Sequence, residues 1–323
     1  MTAPAAGIAL LDLEPATEDF LEQAIAGLTS SPRTLPSKFF YDERGSDLFQ
    51  QISELPEYYV TRTETEILRR HSAEMGESIG ENAELVGFGT GAGVKTRMLL
   101  SQLRNPIAYV PVDISKQRLT DSAEALSREM PNLEILPVCA DYLQPIRLPT
   151  PSQKPDHIAV YFPGSTIGNL KPETAQHFLT RIARLCGKSG GLIIGVDLQK
   201  PREILEAAYN DSAGVTAAFN RNILVRANRE LSADFDLDQW RHHAIYNDEC
   251  SRIEMHLISQ REQVVHLGER EFRFAPNEKI ITEFSYKHTI EGFSELAASA
   301  GFQLAHFWTD PRKFFAVFHF TTL

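Results

Sequence analysis

Two aspartates stand where an open α/β sheet would hold a ligand. Asp113 ends the apolar run Val110-Pro-Val-Asp113, and Asp141 ends the next, Val138-Cys-Ala-Asp141. A carboxylate at the first position can accept from both hydroxyls of a ribose, and one at the second from an adenine amino group. Upstream of both, residues 84–98 read Glu-Leu-Val-Gly-Phe-Gly-Thr-Gly-Ala-Gly-Val-Lys-Thr-Arg-Met. That is a buried strand, a glycine turn and the start of a helix. Gly87, Gly89, Gly91 and Gly93 let the backbone turn tightly and approach a ligand with no Cβ in the way. The helix points its N-terminal amides back at the turn. Downstream, Phe162-Pro-Gly-Ser-Thr-Ile-Gly-Asn169 places a polar loop after a fourth apolar run. Taken singly, each aspartate also suits a helix cap. Ligands of such sheets gather at the carboxyl ends of strands, so together these groups converge on one site.

The segment from Gly87 to Ala92 satisfies the dinucleotide pattern G-x-G-x-x-A, which keeps an NAD-dependent oxidoreductase open as an alternative. A ribose acid, an adenine acid and a polar fourth-strand loop fit S-adenosylmethionine better than NAD.

The elements that carry these groups alternate. Strands are expected at residues 85–88, 108–113, 133–139, 157–162 and 191–197, with helices between them. Ser115 is placed to cap a helix bearing Leu119, Ala123, Leu126 and Met130. Pro172 opens another with Phe178, Leu179, Ile182 and Leu185 inside and Gly187 at its end. Near-continuous apolar strands interleaved with helices mean a parallel sheet covered on both faces, an α/β fold. Before this unit, an amphipathic helix carries Phe20, Leu21, Ala24, Ile25 and Leu28. Ser46 is the expected cap of a second helix, and Thr63 with Glu66 forms a capping box for a third. After residue 200 the pattern changes. Helices are expected at 203–209 and 216–231, and then 252–265 and 271–287 alternate as a long antiparallel hairpin would. That alternation puts Glu283 and Ser285 on one strand face. A helix at 290–300 and β-rich stretches at 303–308 and 314–320 close the chain. The expected division is residues 63–199 plus 287–323 as a cofactor domain and 1–62 plus 200–286 as a second, α+β domain.

The chain has 323 residues and a formal net charge of -11. Such a field repels phosphate, which argues against nucleic-acid or anionic-membrane partners. Cys139, Cys186 and Cys250 are far apart and odd in number, as expected of small buried residues in a reducing cytosol. No signal peptide or membrane span is read in the sequence, so a cytoplasmic protein is expected. The His242-His243 pair has no partner at ligand spacing; it is expected at the surface, and no metal site is expected.

Longer segments carry a more specific signal. They are Lys38-Phe-Phe-Tyr-Asp-Glu-Arg-Gly-Ser-Asp-Leu-Phe49 with Leu55-Pro-Glu-Tyr-Tyr-Val-Thr-Arg-Thr-Glu64, Gly89–Leu99, Gly164-Ser-Thr-Ile-Gly-Asn-Leu170, and Ala213-Gly-Val-Thr-Ala-Ala-Phe-Asn-Arg-Asn222 with Arg229-Glu-Leu-Ser-Ala-Asp-Phe-Asp-Leu-Asp238. With Arg252-Ile-Glu-Met255, Thr282-Glu-Phe-Ser285 and Trp308-Thr-Asp310 they cover nearly the whole chain. Together they resemble the S-adenosylmethionine-dependent histidine Nα-methyltransferases of ergothioneine biosynthesis. The resemblance implies a Rossmann-like class I methyltransferase sheet beside a second α+β substrate domain. It implies a cofactor, S-adenosylmethionine, held by Tyr41, Gly89, Lys95, Asp113, Asp141 and Tyr142. It implies a small amino-acid substrate whose α-amine and carboxylate meet Gly164, Asn169 and Tyr209. Tyr58, Glu283 and Ser285 would meet the imidazole, and Phe49, Thr216 and Met255 would shape the pocket. Tyr41 and Tyr58 are the catalytic candidates, as an aromatic surround for a growing cation. A monomer is expected. Apart from the resemblance, these aromatics and Met255 also suit a core, and Glu283 with Ser285 the wet face of a strand. One departure stands out: where the family has an acidic residue, this chain has Gly87. The reaction implied is three methyl transfers to the α-amine of histidine, giving hercynine. The same fold acting on another amino acid, such as tryptophan, is the alternative.

Overall fold

A computed structural model of the chain describes residues 10–13, 19–89 and 93–323. Gly91 and Ala92 of the glycine turn lie outside the described residues. The main sheet takes Leu11–Asp12 (β1), Ala83–Phe88 (β2), Ala108–Asp113 (β3), Glu134–Ile135 (β4), Val138–Cys139 (β5), His157–Phe162 (β6) and Gly191–Asp197 (β7). A three-stranded antiparallel sheet follows. It is built from Trp240–Asn247 (β8), Arg252–Ser259 (β9) and Lys279–Tyr286, with the hairpin Gln263–Leu267 (β10) and Arg270–Phe274 (β11) between the last two. Lys279–Tyr286 is β12. The main sheet is completed by Phe302–Thr309 (β13) and Phe315–Thr322 (β14). Helices are Asp19–Thr29 (α1), Glu43–Glu54 (α2), Tyr59–Ile79 (α3), Val94–Leu100 (α4), Lys116–Glu129 (α5), Pro172–Cys186 (α6), Arg202–Tyr209 (α7), Val215–Leu231 (α8) and Ile290–Ser299 (α9).

The main sheet runs β1-β5-β3-β2-β6-β7-β14-β13, with β4 also on β3. From β1 to β7 every pairing is parallel, and β14 enters antiparallel. From β2 the chain runs outward through β3 and β5, then returns to the other side of β2 as β6 and β7. That reversal is a topological switch point, where ligands of such sheets bind. Alternate strand residues face opposite layers. Leu85, Tyr109, Tyr161 and Ile193 share one core with Ile67 and Leu68 of α3. Val86, Val110, Val160 and Phe162 share another with Phe178 and Leu179 of α6 and Phe293 of α9. The smaller sheet is packed by α7 and α8, and α2 lies on α8.

Several local expectations are corrected. The strand expected over 133–139 is broken into β4 and β5. Pro137 lies in the break and has no N–H to give a ladder. Leu11–Asp12, expected with the second domain, extends the main sheet at the β5 edge. The long hairpin is present as β9 against β12, Arg252 facing Tyr286, but its far end grows the extra hairpin β10–β11, and β8 adds a third strand. Asp42, not Ser46, caps α2 through the Gly45 N–H. Thr63 is buried well inside α3, which begins at Tyr59 because Tyr59 and Val60 already pack into the core. The Ser115 side chain caps nothing; its N–H bonds instead to Asp113. Cys250 is exposed. No helix among the described residues is long and apolar enough to cross a membrane.

Candidate functional site

The strand ends at the switch point carry the first group. One oxygen of Asp113 accepts from Ser115 N–H at 2.9 Å, and one of Asp141 from Leu143 N–H at 2.8 Å. Each aspartate thus braces its own turn, as the cap reading allows, and keeps a second oxygen. Burial raises the Asp113 carboxyl above its ordinary range, against hydrogen bonds from its turn. Lys38 Nζ stands 3.9 Å from the second oxygen of Asp141. Gly89 takes φ +57, a left-handed conformation that favours glycine, and its N–H bonds to Val112 O. A Cβ there would sit 3.6 Å from the Tyr142 ring, so the turn leaves a cradle in front of it. Tyr142 is seated among Phe88, Phe162 and Phe178.

The polar loop after β6 forms the corner of the site. Gly164 has φ +80, and its N–H bonds to both oxygens of Glu64 at 3.0 Å. Glu64, fully buried on α3, also holds the Lys95 ammonium. Lys95 therefore meets a protein carboxylate here. The sequence reading gave Glu64 no role, although it closes one of the quoted segments. A Cβ on Gly195 would collide with Glu64 Oε1 and stand 3.0 Å from the Phe315 ring. Gly87 lies in β2 between Pro111 and Tyr161. Tyr161 is in turn within electrostatic reach of Glu64. Asn169 ends the short turn Thr166–Asn169, whose Gly168 lies against the Tyr286 backbone. Among the described residues its side chain has no hydrogen-bond partner.

The second group comes from distant segments. Tyr41 follows the turn Ser37–Phe40, Phe49 is on α2, Tyr58 precedes α3, and Tyr209 ends α7. Their rings form a chain: Tyr41 to Phe49 at 5.7 Å, Phe49 to Tyr58 at 6.3 Å, Tyr58 to Tyr209 at 6.2 Å. Phe219 of α8 closes it, 5.8 Å from Tyr41. Burial raises the Tyr41, Tyr58 and Tyr209 phenols, and the charge of Glu283, on β12, adds to that at all three. Burial pushes the Glu283 carboxyl up to about 7, while nearby Lys287 pulls the other way. Met255 is the register partner of Glu283 on β9. Ser285 bonds to the Tyr209 hydroxyl at 2.9 Å. Thr216 is buried; its N–H bonds to Asp211. Burial raises the Tyr41 phenol above its ordinary range, and Glu283 and Tyr142 add to that.

Behind Ser285 lies an ionic cluster that the sequence reading did not include. Asp197 Oδ2 accepts from Lys287 at 2.9 Å and from Tyr59 OH at 2.7 Å, and Oδ1 from Lys200 at 2.6 Å. Burial raises the Asp197 carboxyl, but Lys287 and Lys200 outweigh it and hold it below the usual range. Burial lowers Lys200 to about 8. His242, expected at the surface, is half-buried. Its Nδ1 accepts from the Asn220 amide, and its Nε2 donates to Tyr209 O.

A family model described as histidine-specific methyltransferase, SAM-dependent, matches residues 20–322. The histidine N-alpha-methyltransferase of Mycolicibacterium smegmatis is 43% identical over 307 residues, 93% of this chain and 94% of that protein. That of Mycobacterium tuberculosis is 41% identical over 290 residues, 88% and 89% of the two chains. Ergothioneine biosynthesis protein 1 of Neurospora crassa is 29% identical over 295 residues, 88% of this chain and 32% of that one. With a match that runs from α1 to the last strand of the main sheet, the chain belongs to the family of histidine-specific, S-adenosylmethionine-dependent methyltransferases.

Proposed function

We propose that this protein transfers methyl groups from S-adenosylmethionine to the α-amino group of L-histidine, three times, giving the trimethyl betaine. The observation that carries the substrate is the pair Glu283 and Ser285 on one face of β12, a carboxylate whose charge raises three tyrosines and a hydroxyl bonded to one of them. An imidazole offers one N–H and one acceptor nitrogen, or two N–H groups when charged. That pair can meet either form.

The residues present fit the donor. Asp113 and Asp141 keep oxygens for a ribose and an adenine amine, and Gly89 leaves the cradle before Tyr142. Lys95 and Glu64 offer both signs of charge for an amino-acid tail. When bound there, S-adenosylmethionine supplies a methyl carbon activated by sulfonium charge. The chain's own task is to present a neutral amine. An α-amine with pKa of about 8 is mostly protonated at neutral pH, so a proton must leave before each transfer. Tyr41 and Tyr58 cannot be ready bases, because burial holds both phenols well above their ordinary range. They orient the amine and surround its growing charge with aromatic faces. Once quaternary, the nitrogen has no lone pair and the series stops. In this reading the substrate lies between the main sheet and the β8-β9-β12 body, and the enzyme acts as a cytoplasmic monomer.

The test is to incubate the chain with S-adenosylmethionine and a panel of amino acids and follow product mass. Histidine gains three methyls. A panel in which histidine gains none overturns the proposal.

A further inference from the structure

The Lys287 ammonium, next along the chain from β12, has no exposed surface. It donates to Asp197 Oδ2 at 2.9 Å, Ser285 Oγ at 2.7 Å and Tyr209 OH at 3.1 Å. An ammonium has three donors and no acceptor, so its hydrogen bonds are complete and all run one way. The Tyr209 hydroxyl, accepting from Lys287, gives its one proton to Ser285 Oγ at 2.9 Å. Ser285 Oγ thus accepts twice, which uses both its lone pairs. Its own O–H has to be given elsewhere. Along a strand, residues two apart share a face, so Ser285 presents its proton on the side where Glu283 presents its carboxylate.

We propose that Lys287 is a positioning residue for substrate: anchored by Asp197, it joins Tyr209 in filling the acceptor positions of the Ser285 hydroxyl, leaves that hydroxyl to act as a donor and so selects the ring orientation of histidine. Because the ammonium cannot accept, it always fills one lone pair on Ser285 Oγ and one on the Tyr209 hydroxyl, and with Tyr209 donating to Ser285 the proton left over is that of Ser285. The strand then offers one donor and one acceptor, the complement of a neutral imidazole held one way round. Asp197 keeps the ammonium in place from the end of β7, and Tyr59 and Lys200 hold Asp197. The inference rests on the reading above that Ser285 and Glu283 hold the ring.

The test is a double-mutant cycle read by steady-state kinetics on the full chain. Lys287→Met raises the KM for histidine about tenfold, the worth of one buried hydrogen bond, and leaves the KM for S-adenosylmethionine within about twofold. In a Ser285→Ala background the same change adds less than about twofold, because its effect runs through that hydroxyl. Lys287→Gln, whose carbonyl oxygen can accept the Ser285 proton, is run in both backgrounds; it raises the histidine KM more than about threefold with Ser285 present and less than about twofold in Ser285→Ala, and carries the comparison if the Met variant does not fold. An equal effect in both backgrounds, or an equal rise in both KM values, overturns the proposal. If Ser285→Ala leaves the histidine KM unchanged while wild type is active, the ring assignment falls. If wild type does not methylate histidine, the functional reading falls and this inference with it.

Discussion

The two sides of the site are held by different kinds of bond. On the side of the strand ends, backbone fixes geometry. Asp113 and Asp141 each bond to an N–H two residues on, and Gly89 and Gly164 are set by left-handed turns. On the β12 side, side chain holds side chain over long stretches of sequence: Tyr209 with Ser285, Lys287 with Tyr209, Tyr59 with Asp197. Local bonds fail one at a time. A network of buried charges fails together, because each member left behind is an unpaired charge in a dry place. The first side should therefore degrade gradually under mutation and the second abruptly.

The largest expected effect tests that contrast directly. Asp197→Ala strands two buried lysines and destabilises the fold by about 3–5 kcal/mol. Asp113→Ala, which loses a turn bond, costs about 1 kcal/mol. Urea unfolding of both variants measures the gap, and equal losses would break the comparison. Next comes substrate affinity. Glu283→Ala lowers kcat/KM for histidine by about 10- to 150-fold, the range for a lost hydrogen bond to a charged group, with the donor's KM unmoved. Asp113→Ala shows the opposite pattern, and a shared pattern would mean that the two sides are not separate.

The pH dependence sharpens the same point. Glu283 titrates near 7 in the fold because burial disfavours its charge. Its ordinary value is about 4.3. Between these values the folded state binds more protons than the unfolded one, so ionising Glu283 erodes stability as pH rises through that window. Glu283→Gln does not ionise. Its Tm advantage over wild type therefore grows from about pH 5 to about pH 8, read by thermal unfolding in matched buffers; a constant difference would show that the carboxylate is not strained by its surroundings. The smallest effect is expected at Arg118, which reaches Asp47 at 2.8 Å between two exposed side chains. Arg118→Ala changes stability by less than about 1 kcal/mol, as for other solvated pairs.

The same contrast explains what could be read from the sequence. The sheet and its strand-end groups follow from apolar runs, glycines and two aspartates, all local signals. Of the second group, pattern alone puts Glu283 and Ser285 on one face, and only the resemblance gives them a ligand. Glu64, Asp197 and Lys287 carry no local sign at all. An isolated charged residue is expected in water, and only the packing of α3, β7 and the end of β12 reveals that these three are buried and paired. His242 misled for the same reason, since its partners Asn220 and Tyr209 come from other elements. The shift in β12 register between Ile281 and Glu283 is likewise silent in a period-two pattern.

The close approach of Gly195 to Glu64 ties two distant positions together. An acid at 64 keeps its place only while residue 195 has no side chain. A methyl at 195 would therefore push the Glu64 carboxylate off Gly164 and Lys95, so a change on β7 is felt at the loop after β6, although no motif joins the two positions and they lie far apart in the chain.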